Sequence, residues 1–234
     1  MNPATATQFS PVPVTAVDDP EIEALISTYT IISEWFLYPE EIDPETLTDE
    51  ASRDAIEAAR LIDPDLATHL SEFRSGFESV TTEGYLSLLE LNPRCPLHLG
   101  SYQFEEPTTC SAAGVSDRNQ YMLEMGNIFR HFGMQIGQEL PDFLPAVTEF
   151  LALTVGAQGE DQELRSRFLE RMVWPGVRLF SQKLALEDTP YHHLAEALTA
   201  CLRHEAGNLP EPEPKAKAEG VKSELIQIEG VGNQ

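Results

Sequence analysis

Residues 117–156 read DRNQYMLEMGNIFRHFGMQIGQELPDFLPAVTEFLALTVG. Tyr121, Met125, Ile128, Phe129 and Phe132 recur at the spacing that lines one face of an α-helix. Asp117 precedes this stripe and is the candidate N-cap, its carboxylate placed to accept from an orphan backbone N–H. Gly133 and Gly137 loosen the exit. Phe143, Leu144, Val147, Phe150, Leu151 and Thr154 repeat the helical spacing, so a second helix is expected to start near Asp142. Pro145 falls in its first turn, where a missing N–H breaks no hydrogen bond. Asp142 is the expected cap, and its charge suits the positive end of the helix dipole. Two helices therefore meet across a short acidic turn holding Glu139, Pro141 and Asp142.

The same period runs outward in both directions. Asp19-Pro20-Glu21 supplies a cap, a first-turn proline and an early acid. Ile22, Leu25, Ile26, Tyr29, Ile32 and Phe36 form the stripe that follows, with Trp35 at its edge and Pro39 as its stop. A helix is expected over 50–62, and Asp63-Pro64 repeats the start signal before Leu66, Leu70, Phe73, Phe77 and Val80. Thr82 opens a short helix with Tyr85, Leu86 and Leu89. Residues 91–116 form the one long irregular segment, holding Cys95, His98, Gly100, Tyr102, Phe104 and Cys110. A loop this long inside a domain is usually functional or mobile, which makes it the candidate binding loop. Beyond the central pair, Leu164, Phe168 and Met172 continue the pattern, and Pro175 is expected to break or kink the helix after Trp174. Thr189-Pro190 precedes the last stripe, Tyr191, Leu194, Leu198, Cys201 and Leu202, with Gly207 placed as its C-cap. No segment alternates with the period of a sheet. The expectation is one all-α domain over 18–207 with on the order of eight to ten helices. Residues 1–17 read as a disordered lead. Residues 208–234 read as a flexible Pro/Lys/Glu-rich tail, in which Leu225-Ile226-Gln227-Ile228 is a candidate docking strand.

Composition narrows the function. The 234 residues are 41% hydrophobic, sufficient for a core. No run of about 18 apolar residues exists to span a membrane, and the first residues have neither the basic nor the apolar region of a signal peptide. A cytoplasmic protein is expected. A net charge of −24 excludes a phosphate-neutralising stripe and so argues against nucleic acid. That acidity serves solubility, and it also steers a basic partner. Cys95, Cys110 and Cys201 are odd in number and lack framework spacing, as reduced thiols do. Cys95-x-x-His98 with Cys110, and His192, His193 or His204 as a fourth ligand, matches no structural-zinc spacing. His131 beside Arg130 reads as a surface histidine. Hydrolase, phosphate-loop and dinucleotide signatures are missing, so the chain is not read as an enzyme and no cofactor is assigned to it.

The acidic turn carries a resemblance. Glu139-Leu140-Pro141-Asp142-Phe143-Leu144-Pro145, with Glu149-Phe150-Leu151 behind it, resembles the E-x-P-D-H-L…E-F motif of the NarJ/TorD/DmsD chaperones that serve maturation of molybdenum-cofactor enzymes. Ser116-Asp117-Arg118-Asn119-Gln120-Tyr121-Met122 is similar to the S-x-D-R-x-Q-x-M run of the nitrate reductase branch. Gly100-Ser101-Tyr102 with Glu105 resembles the G-S-x-Y loop and its acidic follower, and Tyr85-Leu86-Ser87-Leu88-Leu89 is similar to a Y-x-x-L-F run without the aromatic. The likeness is nearest to the delta proteins accompanying ethylbenzene and dimethylsulfide dehydrogenases. Many relatives have His where this chain has Phe143, so that His has no counterpart here.

The resemblance implies a TorD/NarJ-like helical fold and a non-enzymatic chaperone. Its partner would be the apo catalytic subunit of a molybdoenzyme, or that subunit's twin-arginine signal peptide, held until the molybdenum cofactor is inserted and export is due. Glu139, Asp142 and Glu149 would form an acidic patch for a basic segment. Pro141, Gly100, Ser101, Tyr102, Glu105, Tyr85 and Arg118 complete the implied client-binding set, with aromatics of the 96–104 loop against the client's apolar part. Two alternatives stay open: a permanent accessory subunit of the mature enzyme, and a helical enzyme using the Cys/His set with a metal.

Overall fold

Asp19 caps the first helix, α1 (Pro20–Trp35), its carboxylate accepting from the Glu21 N–H at 3.0 Å with Pro20 in the first turn. The structure is a computed structural model, and it describes residues 19–42, 47–104, 116–137, 139–207 and 209–212. Next come α2 (Glu50–Ala59), capped by Asp49, and α3 (Pro64–Gly76), capped by Asp63. A 3-10 turn (Phe77–Ser79) leads to α4 (Thr82–Tyr85), capped by Thr81 and widening into a π turn (Leu86–Glu90). The short α5 (Gly100–Gln103) precedes the central pair, α6 (Asp117–His131) and α7 (Leu144–Thr154). Then follow α8 (Glu160–Phe168), α9 (Trp174–Leu184) and α10 (Tyr191–Ala206). No strand occurs among the described residues, and an isolated antiparallel bridge pairs His98 with Phe143. No described helix is long and apolar enough to cross a membrane.

The helices bury the stripes read from the sequence. α1 lies along α7 and also touches α2 and α10, while α3 packs on α10 and α10 on α9. One aromatic cluster joins α1, α3 and α10: Trp35 stacks on Phe73 at 5.3 Å, and Tyr191 meets Phe73 at 5.4 Å and Phe36 at 6.0 Å. Trp35, at the edge of the α1 stripe, is thus fully buried as packing. A second cluster joins α6, α7 and α8, with Phe150 between Phe129 at 4.4 Å and Phe168 at 5.1 Å. Each such side chain contributes about 1.5–3 kcal/mol by leaving water.

Three local expectations are corrected. Ser116, not Asp117, caps α6, its hydroxyl accepting from the Asn119 N–H at 3.2 Å. Pro175 does not end a helix: a π turn (Leu169–Val173) links α8 to α9, and the proline falls in the first turn after it. The wider turn absorbs the residue whose N–H is missing. In the 91–116 segment, Cys95, Leu97 and Leu99 are buried and Tyr102 and Phe104 pack partly into the core, so residues 93–104 form a packed strap rather than an exposed loop. Gly207, with φ 68°, closes α10 as expected. The described chain continues past it: the Pro210 carbonyl accepts from Trp174 Nε1 at 2.7 Å, and Glu211 pairs with Arg178 and Arg203.

A buried polar knot ties four helices together. Arg165 donates from Nε to Thr154 Oγ1 at 3.0 Å, from Nη2 to the Leu151 carbonyl at 3.2 Å, and from both terminal nitrogens to Glu205. The Tyr29 hydroxyl donates to the same carboxylate. Burial and the Glu205 charge push the Tyr29 hydroxyl well above its usual range, so it stays a donor.

Candidate functional site

Asp142 is the point where the motif-bearing segments meet, but not as a cap. Helix α7 begins at Leu144, and its N-cap Phe143 offers no side-chain acceptor. The Asp142 carboxylate turns inward and is fully buried. One oxygen lies 3.1 Å from His98 Nδ1; the other accepts from the Gly100 N–H at 3.1 Å and lies 3.5 Å from Arg118 Nη2. Backbone bonds clamp the same place: the Leu99 N–H donates to the Asp142 carbonyl at 2.9 Å, and the Leu144 N–H donates to the Leu97 carbonyl at 2.8 Å. A Cβ on Gly100 would stand 2.7 Å from Asp142 Oδ2, so the absent side chain is what admits the carboxylate. Burial works to raise the Asp142 pKa, but the hydrogen bond and charge of His98, then Arg118 and the Gly100 N–H, outweigh it and hold it below the usual carboxylate range. Asp142 fastens the strap to α6 and α7.

This placement corrects several assignments. Asp142 and Arg118 neutralise each other in the interior and do not belong to a surface patch. Gly100 is buried, and the Ser101 N–H is spent on the His98 carbonyl at 3.0 Å. Tyr102 donates its hydroxyl to the Pro96 carbonyl at 2.9 Å and sits edge-on to Phe180, so the strap's aromatics do not stand out for a client. Tyr85 is buried, with its hydroxyl donating to the Phe36 carbonyl at 3.0 Å. Pro141 lies beside Gly126 on α6. Glu105 and Cys110 lie outside the described residues. Cys95 is buried, which pushes its thiol pKa up, away from the thiolate that a metal site needs. Among the described residues no group of three His, Cys, Asp or Glu is arranged to hold a metal.

Glu139 and Glu149 do come together, in a groove of about 710 Å³ between the second half of α1 and the start of α7. Ser33 donates to the Pro145 carbonyl at 2.8 Å across the α1–α7 contact. The apolar lining comes from Leu37, Tyr38, Ile136, Phe143, Pro145 and Leu153. Five carboxylates border it: Glu34, Glu41, Glu90, Glu139 and Glu149. No Lys, Arg or His lines the groove, and among the described residues no ion pair reaches any of the five. Burial raises the Glu149 carboxyl above its usual range, and burial with the Asp49 charge raises Glu34. Both carboxylates therefore gain from an arriving cation. Apolar walls under unpaired negative charge suit a segment with a basic end and an apolar end, and arginine can bind such carboxylates with two charge-assisted hydrogen bonds.

Compared with known proteins, the chain matches no family model and no curated protein. The sequence reading missed Glu34, Glu41 and Glu90. Glu34, Leu37 and Glu41 follow one helical spacing on and just beyond α1, off its buried stripe, which was the available signal. That this face looks across at α7 depends on packing, which no local pattern states.

Proposed function

We propose that the groove seats a basic, partly apolar segment of a client protein, and that the chain is a non-enzymatic, system-specific chaperone for the apo catalytic subunit of a molybdoenzyme. The observation that carries this reading is the set of five carboxylates over apolar walls with no cation among its lining residues. The resemblance of the 139–151 run to the molybdoenzyme chaperones supports the choice of client, because two of its carboxylates, Glu139 and Glu149, border that groove. A signal segment with paired arginines followed by apolar residues has the matching chemistry. The chaperone acts by preferring the open, cofactor-free client; equal affinity for both states would shift nothing. Cofactor insertion then closes the preferred state, lowers affinity and releases the subunit for export from the cytoplasm.

A tagged form of the full chain recovered from its native host, with the native mass and molybdenum content of what accompanies it, tests this reading. A large molybdenum-free partner is expected. A partner already loaded with molybdenum would make the chain a resident subunit, and recovery of the chain alone would remove the basis for a client.

A further inference from the structure

We propose that Trp174, Arg178 and Arg203 form a recognition site for an acidic, proline-containing segment of a partner protein, and that the chain's own residues 209–212 fill this site as a displaceable clasp. The site belongs to α9 and α10 and shares no residue with the lining of the acidic groove. Trp174 and Arg178 are four residues apart at the start of α9, so they share one face of that helix. Arg203, in the last turn of α10, brings its guanidinium to 5.5 Å from the centre of the Trp174 ring. Three consecutive residues answer that surface. Leu209 packs partly against the core, and the Pro210 carbonyl accepts from Trp174 Nε1 at 2.7 Å. The two Glu211 oxygens accept from Arg178 Nε at 2.8 Å and from Arg203 Nη2 at 3.1 Å. An apolar anchor, a carbonyl for an indole N–H and a carboxylate between two guanidiniums make a complete short recognition unit.

The occupant is lightly held. The Glu211 side chain is 56% exposed and that of Arg203 48%, and exposed ion pairs add little stability and weaken with salt. The segment enters through Gly207, whose φ of 68° ends α10 and where an added Cβ would meet nothing within 4 Å. Rotation at that hinge therefore meets no steric barrier. Pro210 and Pro212 restrict the clasp to extended backbone, so little freedom is lost when it docks, and a partner segment of the same composition loses equally little. When the clasp lifts, the indole N–H and both guanidiniums lose their acceptors together. A segment bringing one carbonyl and one carboxylate in adjacent residues restores all three bonds. A clasp shut in about nine chains of ten lowers the apparent affinity of such a segment about tenfold.

The test reads Trp174 fluorescence in the full chain, where the other tryptophan, Trp35, is fully buried against Phe73 and gives a constant background. Acrylamide quenching is measured for the parent and for a full-length Leu209→Ala/Glu211→Gln variant. A synthetic peptide of sequence LPEPEP is titrated into both, beside a copy with glutamine in place of each glutamate. Quenching is expected to rise in the variant, and in the parent at high salt. The acidic peptide is expected to restore the shielding, to bind the variant about tenfold more tightly than the parent, and to lose its effect when Arg203→Gln is added. Quenching unchanged by salt and by the two substitutions would make residues 209–212 a fixed part of the fold and overturn the inference. So would an opened variant that binds neither peptide, or one that binds the glutamine copy as well as the acidic one.

Discussion

Asp142 and Glu149 stand seven residues apart in one motif-like run and end in opposite circumstances. Asp142 is fully buried yet surrounded by His98, Arg118 and the Gly100 N–H, so its charge is more favourable inside than in water. Glu149 is half-buried beside apolar side chains with no cation, so its charge is less favourable there. A satisfied carboxylate holds structure together, and an unsatisfied one is available for a partner. Depth of burial alone would have pointed to the wrong residue.

The contrast is open to attack by substitution, starting with the largest effect. Asp142→Ala removes the buried carboxylate shared by His98, Arg118 and the Gly100 N–H, and a loss of about 3 kcal/mol is expected. Urea unfolding should show it as a lower midpoint, with Glu149→Gln within about 0.5 kcal/mol of the parent chain. Equal losses at the two positions would erase the distinction. Gly100→Ala pushes a methyl to 2.7 Å from Asp142 Oδ2, and about 1–2 kcal/mol is expected to be lost. An unchanged midpoint would mean that the strap shifts without cost.

A smaller effect appears on acidification, with opposite signs at the two sites. Asp142 has a lowered folded pKa, so its stabilisation is full above its unfolded value and disappears as pH falls through the folded one. Glu149 has a raised folded pKa, so its ionisation opposes folding above that value, and protonation relieves it as pH falls toward the ordinary carboxylate range. Relative to the parent, Glu149→Gln should lose that relief between neutral pH and the ordinary range, while Asp142→Asn should lose the acid-labile contribution below it. Paired unfolding curves across pH check both, and coincident profiles for the two variants would contradict the assignment.

Much of the fold was legible locally. The caps at Asp19 and Asp63, the first-turn Pro145, the stripe of α6 and the Gly207 terminus depend on neighbours within a turn or two, which a sequence displays. Asp142 shows where such reading stops. An aspartate just before a helix has a complete local explanation as a cap, and its real partners His98 and Arg118 lie 44 and 24 residues away. The groove was half legible: the motif indicated Glu139 and Glu149, whereas Glu34, Glu41 and Glu90 reach it through the packing of α1 on α7 and the turn after α4. The strap looked like a loop because prolines and glycines mark irregular backbone without saying whether it is buried.

The most direct test of the central claim is calorimetric titration of the paired-arginine, leucine-rich peptide into the parent chain and into Glu34→Gln/Glu149→Gln, at low and high salt. The account predicts binding to the parent that weakens with salt and with pH lowered through the raised Glu149 pKa, and a further loss of about tenfold in the double variant. Binding of undiminished strength in the double variant would place the peptide elsewhere on an acidic surface and contradict the groove as the site.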